Sequence, residues 1–348
     1  MKAVWLLVAL AACSKPGGVL PDGAGGDDDG ARDGTSADPF ATPVGEWTWI
    51  DLPGMVCGNG AATGIGVNRS ATSSDVLVFF EGGGACWDTG SCFTLNAAVH
   101  IQDGFTATTL QADLHYFPFD RTDPADPLSA PTYIYVPYCT GDLHAGIETT
   151  TYDVAGTPKT VHHVGSINTQ TMIDRVRAAY PAAPHVWVVG QSAGGYGATL
   201  NFHRFRTAWP AAELALLQDS SMFISIAANY GLWQSSWTLQ LPPGCTNCEH
   251  DFRQLLAAEL AAEPASRVGL LTFDNDTTIK LFFGYGLLDS IVAQVNSLIA
   301  SFYTAPTTHV YEVAGTDHTM LGGYHANAPL NAWVRQWATG DPAWADVR

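Results

Sequence analysis

The sequence predicts an α/β fold with a mostly parallel central sheet and helices on both faces. Three observations predict it. Apolar runs of about five residues recur along the chain, as buried strands require. Helical periodicities separate those runs, which is the alternation of a parallel sheet. Hydrophobic residues make up 47% of the 348 positions and charged residues only 14%, too apolar and too sparsely charged for a disordered chain. A chain of this length buries roughly 75% of its unfolded surface, enough for one large domain.

The first residues read as an address. Met1-Lys2 supplies a positive start, and the apolar run Ala3 to Ala12 is too short for a hydrocarbon core of ~30 Å but suits a signal peptide. It ends Leu10-Ala11-Ala12-Cys13. Small residues before a cysteine resemble a bacterial lipobox, so residues 1–13 are expected to be a lipoprotein-type signal with Cys13 as the lipidated residue and the membrane as a partner through that lipid. Residues 14–46 are rich in Gly and Asp, including Asp27-Asp28-Asp29, and are expected to be a flexible acidic tether. The catalytic domain is expected over 47–348. The net charge is −18. Seven acids and two bases in the tether, with Lys2 before it, leave −14 on the domain. With 15 Lys and Arg against 33 Asp and Glu, nucleic acid is excluded as a partner, because its binding needs clustered cations.

Within the domain, strands are expected at Asp75–Phe80, Tyr133–Val136, His185–Val189, Leu214–Leu217, Val268–Phe273 and His309–Val313. Helical spacing joins Ile173, Val176, Arg177 and Tyr180, then Leu255, Leu256 and Leu260, then Leu288, Val292, Val295, Ile299 and Phe302. Residues 220 to about 265 break this rhythm with Trp233, Trp237, the Pro242-Pro243-Gly244 turn and a CxxC. They read as an insertion folded over the sheet's edge. Setting Cys13 aside leaves six cysteines, an even set that suits an oxidising compartment. Cys86 with Cys92 and Cys245 with Cys248 are the local pairs, leaving Cys57 with Cys139. A zinc site at Cys245-Thr246-Asn247-Cys248 lacks a second ligand pair, so no metal is expected.

The chemistry is concentrated after the strand at 185–189, where Gly190-Gln191-Ser192-Ala193-Gly194 opens a helix. G-x-S-x-G in a strand–turn–helix setting is a nucleophile elbow, the signature of an α/β-hydrolase fold. The turn strains the serine backbone and lifts its hydroxyl above the sheet, while the amide of Ala193 points where an oxyanion would form. Serine needs a base, and in this fold the chain order is Ser, acid, His. After the strand ending at Phe273, both Asp274 and Asp276 qualify as the acid. Asp219, which follows the strand after the elbow, is a lesser candidate. After the last strand, His318 in Gly315-Thr-Asp-His-Thr319 is the expected base. His325 is the runner-up for the base and is expected in the following helix. The loop Gly82-Gly83-Gly84 after the early strand offers amides to a substrate oxygen; a phosphate loop would need a following G-K-[ST].

With these residues assembled, the chain resembles the pectin acetylesterase/Notum family of α/β-hydrolases. The resemblance rests on Phe80-Glu-Gly-Gly-Gly-Ala-Cys-Trp87, Val136-Pro-Tyr-Cys-Thr-Gly-Asp142 and Gly190-Gln-Ser-Ala-Gly-Gly195, with Asp276 and His318 downstream. It spans roughly residues 47 to 338. It implies a triad of Ser192, Asp276 and His318, oxyanion amides at Gly83, Gly84 and Ala193, and ester hydrolysis without cofactor or metal. Plant members resembling it remove acetyl from pectin; the animal Notum branch removes a fatty acyl group. Trp87, Asp142, Tyr196 and Phe223 are candidate pocket residues. Ala85 stands where plant-like members usually carry an aromatic, and the domain charge of −14 repels polygalacturonate, which favours a neutral acetylated polysaccharide. The expected function is an exported serine carboxylesterase. A lipase or protease with the same triad, and a silent surface carbohydrate-binding lipoprotein, are the competing readings.

Overall fold

In the computed structural model, which describes residues 40–224 and 227–348, strands and helices alternate as β1 (Trp47–Val56), β2 (Ala62–Asn68), β3 (Val76–Phe80), α1 (Ala107–Asp113), β4 (Thr132–Val136), β5 (Glu148–Val154), β6 (Thr157–His163), α2 (Gly165–Ala179), β7 (His185–Gln191), α3 (Ala193–Ala208), β8 (Glu213–Asp219), α4 (Ala227–Trp237), α5 (Gln254–Ala262), β9 (Arg267–Phe273), α6 (Thr277–Phe282), α7 (Val292–Phe302), β10 (Thr308–Val313) and α8 (Ala328–Thr339). The signal peptide, Cys13 and most of the tether lie outside the described residues. The six expected strands are present within about two residues of their expected ends. Leu288 precedes α7 and is fully exposed. His325 lies in the turn before α8 with Nε2 3.6 Å from Asp120 Oδ2, not within a helix.

Eight strands form one sheet in the order β1-β2-β4-β3-β7-β8-β9-β10. From β4 to β10 neighbouring strands run parallel, and β2 and β1 add on antiparallel. The reason for a two-faced core is visible along β7. Val186 and Val188 join the cluster holding Met172, Ile173 and Phe202, on one face. Trp187 and Val189 join the cluster holding Leu330, Trp333 and Trp337, on the other. Side chains two apart share a face, so a strand apolar at every position must be covered twice. Helices α2, α3, α5 and α7 supply residues to the first cluster and α1 and α8 to the second. At roughly 1.5–3 kcal/mol for each fully buried large apolar side chain, this coverage is the main stabilising term.

Two readings of the chain need correction. The tether ends earlier than residue 46: Phe40 is buried against the edge of the Tyr180 ring, and Gly45 N donates to Arg69 O at 2.9 Å. The stretch 220–265 does not cover an edge of the sheet. Its helix α4 lies on the glycine loop, with Trp237 Nε1 donating to Cys86 O at 2.8 Å and Ser236 Oγ to Trp87 O at 2.7 Å. The sheet edges are β1 and β10, and aromatic burial draws the insertion inward instead: Trp233 and Trp237 are both fully buried.

Disulfides join Cys57 to Cys139, Cys86 to Cys92 and Cys245 to Cys248. The first bridges residues 82 apart, tying the end of β1 to the loop after β4. Replacing Cys57 and Cys139 with Ser together should lower the unfolding free energy by about 2–5 kcal/mol. The same change at Cys245 and Cys248, which close a loop three residues apart, should cost about 1–2 kcal/mol. Urea unfolding of the two double variants checks the order.

Candidate active site

The C-terminal ends of the parallel strands carry the loops of the site. β7 ends in the elbow, where Ser192 has φ +53° and ψ −125°, a conformation that costs of order 1–3 kcal/mol for a residue with a side chain. The surrounding chain enforces it. Ser192 N donates to Asp219 O at 2.8 Å, and α3 begins at once, with Gly195 N on Ser192 O at 3.0 Å. A Cβ at Gly194 would collide with Phe80 O, so the elbow can sit against β3 only without one. The glycine loop lies on the same spot: a Cβ at Gly82 would collide with Gln191 O and come within 3.0 Å of Ser192 Cβ. Gly84, Ser192 and Ala193 therefore line one cleft, together with Leu143, Tyr196, Thr278, Ile279 and Phe282. Its cavity volume is about 20 Å³, room for about one water-sized group.

Beyond β9, the two aspartates separate by role. Asp274 Oδ1 accepts the Gly315 amide at 2.9 Å. Asp276 is fully buried, caps α6 by accepting Ile279 N at Oδ1 (3.0 Å), and takes His318 Nδ1 at Oδ2 (2.8 Å). A carboxylate only accepts, so Nδ1 carries the hydrogen and Nε2 holds the lone pair. Asp276 caps α6, and the α6 residues Thr278, Ile279 and Phe282 line the cleft beside Ser192. The His318 loop is pinned from β8: Asp219 Oδ2 accepts Met320 N and Leu321 N, both at 2.8 Å, and Ser220 Oγ accepts Thr319 N at 2.9 Å. Asp219 thus serves as an anchor of the loop, not as the partner of His318 Nδ1.

The other expected residues divide. Tyr196 lines the cleft and donates its hydroxyl to Met222 O at 2.7 Å. Trp87 packs edge-on against the cleft residue Phe282, ring centroids 5.6 Å apart. Phe223 lies one layer back, edge-on to Tyr196 at 4.7 Å. Asp142 does not reach the cleft. It is fully buried, accepting Gly165 N at 2.7 Å, Gly146 N at 3.1 Å and Thr140 Oγ1 at 2.6 Å; an aspartate beside small residues reads equally as a ligand or as a turn anchor.

Sequence reasoning missed the brace behind the glycine loop. Glu81 Oε2 accepts Tyr138 N at 2.7 Å, and His144 Nε2 donates to Glu81 O at 2.9 Å. Burial pushes the Glu81 carboxyl well above its usual range and pulls His144 down to about 4, so His144 is neutral and its Nε2 carries the hydrogen that the carbonyl requires. The co-occurrence of E-G-G-G with P-Y-C-x-G-D was the available signal. Among the described residues, Glu81, His100 and Asp113 bring ligand-type atoms within 4.8 Å of one another. His100 Nε2 pairs with Asp113 Oδ2 at 3.1 Å, so hydrogen bonds account for that contact.

Gly82→Ala should destabilise the protein by roughly 2–3 kcal/mol or more, since backbone must move. Gly322→Ala, with open space around it, should stay within about 0.5 kcal/mol. Chemical denaturation midpoints distinguish them.

A family model described as Pectinacetylesterase matches residues 48–238. No curated protein matches the chain. Among solved structures, two crystal forms of the Wnt deacylase Notum from Drosophila align with TM-scores of 0.59 and 0.63 at 15% and 16% identity. They cover 84% and 86% of this chain and 92% and 94% of that one. At that identity the likeness speaks for the α/β-hydrolase fold. The family match includes the glycine loop and Ser192 and stops before Asp276 and His318.

Proposed function

Since the chain belongs to the pectinacetylesterase family and is an ester hydrolase, we propose that it is an exported serine carboxylesterase removing acetyl from a neutral polysaccharide. The observation that carries this reading is the buried Asp276 holding His318 Nδ1 at 2.8 Å, beside a cleft floored by the strained Ser192 and the glycine loop. In the proposed reaction, Ser192 Oγ attacks the ester carbonyl carbon as His318 Nε2 takes its proton. The oxyanion is held by the amides of Gly83, Gly84 and Ala193. Collapse breaks the carbonyl–alkoxy bond, and the leaving sugar oxygen takes the proton from His318. Water, deprotonated by His318, then attacks the acetyl-Ser192 ester, releasing acetate and restoring the serine. None of these steps needs an electron carrier.

The cavity supports a short acyl group. A cavity of about 20 Å³ walled by Tyr196 and Phe282 favours a short acyl group over a long one. That argues against the long-chain deacylase reading, although Drosophila Notum is a Wnt deacylase. Three disulfides support export. We also propose lipid anchoring at Cys13.

With p-nitrophenyl acetate, Ser192→Ala should lower kcat by on the order of 10³–10⁶ and Asp276→Asn by about 10³–10⁴, while Asp274→Asn loses less than about tenfold. An undiminished Ser192→Ala protein rejects the nucleophile. Across an acetyl-to-palmitoyl series, kcat/KM should fall with chain length, and Phe282→Ala should flatten that fall. In a bacterial host, metabolic labelling with a fatty acid should mark the wild-type protein and not Cys13→Ser; equal labelling refutes the anchor.

A further inference from the structure

We propose that Asp219 is the positioning residue of this site, one buried residue whose carboxylate holds the His318 loop and whose backbone carbonyl holds the Ser192 amide. The inference rests on the reading that Ser192 and His318 react together. Asp219 is the last residue of β8 and is fully buried. Its Oδ1 accepts Met320 N at 3.0 Å; its Oδ2 accepts Met320 N and Leu321 N, both at 2.8 Å, and Gln191 Nε2 at 3.2 Å. Its own carbonyl accepts Ser192 N at 2.8 Å. The next residue continues the pattern: Ser220 Oγ accepts Thr319 N at 2.9 Å, while Ser220 N donates to Leu271 O at 2.9 Å in β9. Three successive amides after His318 are therefore fixed by two residues of one strand end, and the same residue fixes the amide of Ser192.

The chemistry explains why an aspartate stands here. Burying a carboxylate costs several kcal/mol unless its lone pairs are filled. Donors from three residues on two segments fill them, and hydrogen bonds to a charged acceptor are roughly twice as strong as neutral ones. Burial raises the Asp219 carboxyl above its usual range, and the amides of Leu321 and Met320 pull it back. An asparagine would keep the shape and turn an NH₂ toward groups that are themselves donors.

The test measures kcat per active site, with competent sites counted by fluorophosphonate titration, so that unfolded protein drops out of the comparison. Asp219→Asn should lower kcat per site by about 10–100-fold, the scale of a 1 Å misplacement, with KM changed little. Ser220→Ala, which removes the acceptor of Thr319 N, should lower kcat per site about 3–10-fold, again with KM changed little. Wild-type kcat per site in Asp219→Asn, or a loss that appears in KM instead of kcat, would overturn the proposal. If that variant does not fold, an unchanged kcat per site in Ser220→Ala overturns it instead. Full activity in Ser192→Ala would remove the reading of the site as a whole, and this inference with it.

Discussion

The carboxylate at the end of β8 is the constraint on which the arrangement of the site depends. Ser192 is fixed by the strand that precedes it and the helix that follows it. His318 sits on a loop without regular structure, tied at its start to the loop after β9 by Gly315 N on Asp274 Oδ1, Asn275 N on Gly315 O and Thr277 N on Thr316 O. Ordering such a loop costs about 1–2 kcal/mol of backbone entropy per residue. Hydrogen bonds from Met320 and Leu321 to the buried Asp219 carboxyl, and from Thr319 to Ser220 Oγ, offset that cost where the imidazole must be steady. Because the acceptor lies on the strand beside the elbow, the loop inherits the rigidity of the sheet.

A second support works from the opposite side. The glycine loop has little side-chain mass with which to hold its shape, so its position is dictated by what lies beneath it. Glu81 reaches back to Tyr138, His144 comes up to the Glu81 carbonyl, and Asp142 holds the start of α2 together with the loop that carries His144. Each polar group in this layer is buried and paired, which is the condition under which such networks rigidify a core. The P-Y-C-x-G-D segment is accordingly the foundation of the glycine loop, and its cysteine adds a covalent tie to β1.

Much of this was legible in the sequence, and the limits have physical causes. Parallel strands buried on both faces leave unbroken apolar runs, so β3, β4, β7, β8, β9 and β10 stood out. The antiparallel strand β1 carries Pro53 and Gly54 and is exposed at several positions, so its pattern resembles neither template. The hairpin β5–β6 is polar on most positions and owes its shape to Thr-rich strands around Ala155-Gly156. Ser192, His318 and the pair Asp274/Asp276 were readable because chain order and strand ends fix them. Which aspartate meets His318 was not readable from composition, since it turns on two residues of register after β9. Asp142 was expected at the pocket because burial is a property of the tertiary structure, and a polar residue beside a glycine looks like a ligand until its partners are known; Asp219 ranked below Asp274 and Asp276 as the acid, and its part in holding the loop after β10 shows only in the tertiary structure.

The walls of the cleft follow a different logic from its floor. Ser192 and Ala193 follow β7 at once and Gly84 lies in the loop after β3, so their places are set by the strand ends. Phe282 and Thr278 come from α6, and behind them Trp87, Trp233 and Trp237 form an aromatic wedge contributed by the glycine loop and the insertion. Such rings bury large areas and tolerate exchange for other apolar shapes at modest cost. Acyl size can therefore change in this architecture by repacking α4 and α6 while the parts that do the chemistry stay fixed. The walls of the cleft come from α6 and Tyr196, and its floor from the glycine loop and the turn after β7.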